Sequence, residues 1–181
     1  MKKISILFAI IIIPFICQSK IKIPFISSST KIEVSVDSFT GETSIISDWQ
    51  DVSEKKLWIK LEYRNDKEYI ELRYISGEQL NITPDNPLMI QGGNSVSQFI
   101  PIETYKSAIG GGAVEGNGEG IWGINAIYEG SLSCFNNDVT AIRISTLEGN
   151  KDFKLSKSTT KNLKKVYDSF LIELEKIKME N

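Results

Sequence analysis

Two carboxylates, Glu115 and Glu119, lie four residues apart in the stretch Gly110-Gly-Gly-Ala-Val-Glu-Gly-Asn-Gly-Glu-Gly120. Two carboxylates flanking a glycosidic bond are all that a glycan hydrolase needs for general acid and base work. A loop so rich in glycine, however, leaves those carboxylates without the rigid shell that holds catalytic geometry. The same stretch fails as a phosphate loop on independent counts. No Lys-Ser or Lys-Thr follows it, it precedes strand-like rather than helical sequence, and its own acids repel an anion. It reads as a hairpin loop, or as a mobile binding loop in which Glu115, Asn117 and Glu119 meet a ligand.

Histidine is absent from all 181 residues. That removes Ser-His-Asp and Cys-His catalysis and the commonest zinc sites. Asp85-Asn86 and Asn136-Asn137-Asp138 carry oxygen ligands that suit calcium, yet neither has the spaced acids of an EF-hand loop. Both read as turn formers, so no metal and no cofactor is implied. Of the two cysteines, Cys134 has no base to activate it and reads as a buried structural thiol.

Aromatic rings offer a different chemistry, since their faces bind the apolar surface of sugars and peptides. Trp49, Trp58, Trp122 and Tyr128 are candidates, and Trp58 stands out because it falls on the polar side of its strand, as does Tyr69 beyond the next turn. Cross-strand aromatic packing is the competing explanation. The candidate ligand contacts are therefore Trp58, Tyr69, Glu115, Asn117, Glu119 and Trp122, with no catalytic residue assigned.

The elements that must position these residues follow from periodicity. Ile32, Val34 and Val36 alternate with polar residues, and Thr43–Ser47 returns as a second strand after a turn at Asp37-Ser-Phe-Thr-Gly-Glu42. Asp48-Trp49-Gln50-Asp51 closes that unit. Leu57, Ile59, Leu61 and Tyr63 share one face opposite Trp58, Lys60, Glu62 and Arg64, and Asn65-Asp66-Lys67 turns the chain into Tyr69–Ile75. One apolar face and one wet face favour an antiparallel sheet. Leu80–Thr83 and Leu88–Gln91 flank the reversal Pro84-Asp-Asn-Pro87, and Val96–Ile102 is strand-like, with Pro101 suggesting an edge or a strand end. Ile121–Tyr128 resumes a strand, Ser131–Asp138 is a loop, and Val139–Leu155 is a last hairpin.

From about Ser158 to Lys178, Leu163, Val166, Tyr167, Phe170, Leu174 and Ile177 recur at steps of three and four, the stripe of an amphipathic helix. Ser158, Thr159 or Thr160 is the expected cap. Burying each large side chain of that stripe contributes roughly 1.5–3 kcal/mol before entropy, and so short a helix needs a sheet to lie on. The expected fold is a single α+β domain of about seven to nine mostly antiparallel strands with one C-terminal helix packed on the sheet.

At the N-terminus, Lys2 and Lys3 precede the uncharged, almost wholly apolar run Ile4–Ile16, and small or polar residues follow. This is the pattern of a secretory signal peptide over residues 1–19, with residues 20–30 a flexible lead and 31–181 the folded domain. Lipidation of Cys17 is the alternative to cleavage after Ser19, although Ile16 puts a bulky residue where a lipoprotein signal has a small one. Removing Lys2 and Lys3 from the 21 basic residues leaves 19 against 23 acidic ones, a formal net charge of −4. Such acidity disfavours nucleic acid and anionic lipid, so membrane contact is expected only through a lipid on Cys17.

The Asp37-Ser-Phe-Thr-Gly-Glu42 hairpin, and more loosely the closing hairpin with its helix, resembles small exported proteins of Bacteroides-like bacteria, a resemblance that implies no activity. The closing hairpin and helix are also similar to a pleckstrin-homology-like roll, but Asp37 and Glu42 stand where that family's lipid site needs basic residues. Together these features predict an exported, non-catalytic binding or accessory protein of the periplasm or cell surface with a protein or glycan partner. A carboxylate-based glycan hydrolase and a structural subunit of an envelope assembly, joined through an open sheet edge near Pro101, are the alternatives.

Overall fold

The computed structural model describes residues 30–54, 56–108 and 122–180. Ten strands form a mostly antiparallel sheet, followed by one C-terminal helix. The strands are β1 (Ile32–Val36), β2 (Thr43–Ser47), β3 (Gln50–Ser53), β4 (Leu57–Arg64) and β5 (Lys67–Ser76), then β6 (Leu88–Gly92), β7 (Ser95–Ala108), β8 (Trp122–Glu129), β9 (Val139–Thr146) and β10 (Gly149–Lys154). The helix α1 spans Lys157–Glu180, and a short 3-10 helix spans Leu132–Asn136.

Local chemistry sets the hairpins. Between β1 and β2 the Asp37 carboxylate accepts N–H bonds from Phe39 and Thr40, and Gly41 takes a φ of +74°. The amides of Thr40 and Phe39 hold the Asp37 carboxyl below its ordinary pKa. Asn65 and Asp66 both have positive φ in the two-residue loop joining β4 to β5, the geometry that matches strand twist. Leu57, Ile59, Leu61 and Tyr63 are buried as the alternation predicts.

The strand order is β1-β2-β4-β5-β8-β7-β6-β9-β10, with β3 paired to β4. The chain leaves β5, skips two places to β6, returns through β7 and β8 beside β5, and then crosses to place β9 against β6. Strands β6 to β9 thus form a Greek key. The hairpin that leads into a helix, on which the pleckstrin-homology comparison rested, is present, but the middle of the sheet is not a run of consecutive hairpins.

Strand β7 belongs to both halves of the sheet. Its residues Ser95 to Phe99 pair with β6, and Ile100 to Ala108 pair with β8. The change of partner coincides with a register shift between Pro101 and Glu103. Pro101 is therefore neither at an edge nor at a strand end, as its missing N–H suggested; a bulge in mid-strand accommodates the lost ladder bond equally well. The ends of the strand path are β1 and β10. Two further segments differ from their sequence reading: the stretch that closes the first hairpin runs into a strand of its own, Gln50–Ser53, and Leu80–Thr83, one flank of the reversal at Pro84–Pro87, lies outside the sheet, although Leu80 and Ile82 are buried.

The two lobes of the sheet enclose one core, in which Tyr74 of β5 meets Phe153 of β10 edge-on at 5.3 Å between ring centroids. Leu163, Val166, Tyr167, Phe170 and Leu174 are buried in that core, as the helical stripe requires. The first turns of α1 are tied to both lobes, since Thr160 Oγ1 donates to the Val139 carbonyl at 2.7 Å and Asn162 Nδ2 donates to Gln50 Oε1 at 2.8 Å. Among the described residues no helix is long and apolar enough to cross a membrane.

Candidate binding surfaces

The residues singled out in the sequence do not form one site. Glu115, Asn117 and Glu119 lie outside the described residues, as do Cys17 and the signal-peptide segment. Ala108 of β7 pairs with Trp122 of β8, so these two strands are the arms of a hairpin. Trp122 aligns with Ser76 in the register that also aligns Ile124 with Tyr74, which places it on the inner face. It therefore does not share a surface with Trp58 and Tyr69, because the side-chain period of two puts residues 122, 124 and 126 together.

Trp58 and Tyr69 do share the outer face of the larger lobe, but they are not cross-strand partners. Trp58 stands opposite Arg73, and Tyr69 opposite Glu62. Four residues separate Trp58 from Glu62 along β4, roughly 13 Å of strand. Tyr69 is only 6% exposed, with the Arg64 guanidinium 4.9 Å from its ring centroid. The wet face expected there is thus partly closed, and Tyr69 and Glu62 are buried in it. Trp58 remains half-exposed.

Around Trp58 the register assembles two adjacent rows. One reads Asp51, Trp58, Arg73, Asn125 and the other Lys60, Glu71, Ile127. Trp49, just before β3, folds against both, with Arg73 Cζ 4.7 Å and Lys60 Nζ 5.1 Å from its ring centroid. Lys60 is ion-paired to Glu71, and Arg73 Nε donates to Asn125 Oδ1 at 3.0 Å.

The outer face of the smaller lobe carries a second surface that sequence reasoning did not single out. Strands β7, β6, β9 and β10 line an open groove of about 610 Å³. Val96, Met89 and Ala141 supply apolar floor, and Gln91, Gln98 and Lys154 supply polar margin. Arg143 lies across it, donating to both carboxylate oxygens of Asp152 at 2.6 and 2.8 Å. Val96 is 58% exposed, and Ile100 and Ile102 further along β7 are 51% and 44% exposed, so aliphatic surface continues from the groove along β7. The available signal was that β7 is apolar on both sides, with Phe99 buried inward and Val96 and Ile100 facing out.

Other candidates are explained by structure. Asn86 Oδ1 accepts from both the backbone N–H and the hydroxyl of Thr83, which ties up the Asp85-Asn86 turn. Cys134 is a buried free thiol, and burial pushes its pKa up to about 11. Among the described residues no group of three potential ligands is placed to hold a metal ion.

The architecture thus defines an α+β domain with two outward surfaces, one aromatic with charges of both signs, the other an aliphatic groove. Compared with protein-family models, with curated proteins and with solved structures, the chain matches none.

Proposed function

We propose that this is an exported, non-catalytic binding or accessory protein of the bacterial envelope, and that the groove on its smaller lobe docks a partner protein. The observation that carries this reading is the exposed aliphatic row Val96, Ile100 and Ile102 running out of a groove floored by Met89 and Ala141. Apolar surface rimmed by polar groups is the anatomy of a protein contact. Beside Phe153, whose ring packs edge-on against Tyr74 in the core, the lining is aliphatic, which suits the side chains of a protein better than the ring of a sugar. At its margin Lys154 has no ion-pair partner among the described residues, so the matching surface is apolar with an acidic group at one end. Export rests on the basic and apolar N-terminal pattern, and a bacterial envelope on the resemblance of the first hairpin.

Parallel pull-downs from the native envelope test the reading, using the parent, Val96→Asp and the helix-surface control Lys161→Ala. Expected is a protein held by the parent and the control, lost with Val96→Asp, and binding again when both are purified. Retention by Val96→Asp, or self-association of the parent through this face in light scattering, overturns it. The hydrolase alternative needs Glu115 and Glu119. It requires polysaccharide turnover by the parent that Glu115→Ala and Glu119→Ala remove, and the non-catalytic reading expects no turnover at all.

A further inference from the structure

The chain has three arginines, and two are answered by carboxylates: Arg143 by Asp152, and Arg64 by Glu62 at 3.6 Å. Arg73 is exposed and has no carboxylate within ion-pair distance among the described residues. It is nonetheless held in place. Its Nε donates to Asn125, its guanidinium lies 4.7 Å from the Trp49 centroid, and Trp58 is its direct cross-strand neighbour. Both indoles are half-exposed. Fixing Nε leaves the two terminal nitrogens as a donor fork, and a preorganised guanidinium recognises a carboxylate better than a mobile one.

We propose that Trp49, Trp58 and Arg73 form a binding site for an acidic saccharide. A pyranose ring stacks on an indole face while its carboxylate accepts from the Arg73 fork. Asp51 is aligned with Trp58 on the side away from Arg73, and its Oδ1 accepts from the Ser53 N–H at 3.2 Å. Lys60 adds little to anion attraction because Glu71 already neutralises it. The site lies on the larger lobe, and it stands or falls independently of the docking groove.

Calorimetric titration of the full domain with oligomers of galacturonate, glucuronate and mannuronate tests the assignment, with methyl-esterified oligomers as uncharged counterparts. Expected is binding of at least one acidic oligomer, weakened at least tenfold by methyl esterification and by Arg73→Gln, and unchanged by Arg143→Gln. Trp58→Ala is expected to weaken binding similarly; its thermal melt shows whether the fold is kept, and Arg73→Gln, altering an exposed side chain, carries the test if it is not. The proposal is overturned if the folded parent gives neither heat nor NMR shift changes with any acidic oligomer at millimolar concentration. It is equally overturned if the ester binds as well as the acid, or if Arg73→Gln binds like the parent.

Discussion

Gly92, the last residue of β6, lies so close to the 3-10 helix that a β-carbon built on it would stand 2.5 Å from the Cys134 carbonyl oxygen. Leu88 and Ile90 are buried on the same inner face, so the added atom would point into the closed end of the core. The obstacle is backbone, which cannot swing aside as a side-chain tip can. Gly92→Ala should therefore cost about 1–3 kcal/mol, the range for overpacking a core. Denaturant melts should show a lower midpoint at unchanged slope. Parent-like stability would mean that the 3-10 helix is free to shift.

Burial also sets the alkaline limit of stability. The Cys134 thiol is raised from an ordinary 9.0 to about 11 by burial, and burial raises Tyr63 and Tyr167 from 10.0 to about 12. For Tyr63, the hydrogen bond that it donates to Asp66 adds to the effect. Tyr128, fully buried, is pushed upward by the same cause. Each group keeps its proton in the folded state at a pH where the unfolded chain has lost it. Their contribution is complete below about pH 9 and is lost as pH rises through 11 to 12. Melting temperature should fall steadily from about pH 9 upward, and Cys134 should resist an aromatic disulfide reagent at pH 8 until denaturant is added. Rapid labelling of the native protein would contradict the burial.

The start of α1 separates two readings of its sequence. Ser158, Thr159 and Thr160 were each plausible caps, but Ser156 takes the role: its Oγ accepts from Thr159 N–H at 3.2 Å, and its carbonyl accepts from Thr160 N–H at 2.9 Å. Ser156→Ala should cost about 1 kcal/mol and Ser158→Ala a few tenths. At roughly 2–4 °C per kcal/mol for a domain of this size, thermal melts resolve the two. Equal effects would place the cap elsewhere.

What the sequence made legible was whatever depends on neighbours along the chain. The alternation of Leu57 to Tyr63, the turn at Asn65-Asp66 and the stripe from Leu163 to Leu174 are local, and each is found where its period put it. Pairing between distant strands has no such signature. Nothing in Ser131–Asp138 announces that the chain there crosses from β8 to the far side of β6, nor that a register shift beside Gly92 leaves Val139 buried while Thr140 is exposed. The binding surfaces suffered for the same reason. Trp58 was readable as an aromatic on a polar face, but its neighbours Trp49, Arg73 and Asn125 come from three other segments. The groove was not readable at all, since Val96, Met89 and Ala141 converge only through the Greek key.

The loop between β4 and β5 offers the sharpest test of local backbone chemistry. Asn65 has a φ of +51° and Asp66 of +58°, between the paired residues Arg64 and Lys67. Left-handed backbone costs an L-residue roughly 1–2 kcal/mol, least for Asn and Asp and most for a β-branched side chain. Asp66 has a second task, because its carboxylate accepts the Tyr63 hydroxyl at 2.7 Å. With its amide oxygen and nitrogen exchanged, as the facing Glu42 carboxylate requires, Asn65 donates to Glu42 at 3.0 and 3.3 Å and so links this loop to the turn of the first hairpin. Asn65→Val should thus destabilise by about 1–2 kcal/mol, through backbone strain and the lost link together. Asn65→Gly removes the strain but not the link, and should stay within about 0.5 kcal/mol of the parent, because contacts between exposed groups contribute little. Should valine prove as well tolerated as glycine in equilibrium denaturation, the loop does not hold its two residues in the left-handed region in solution.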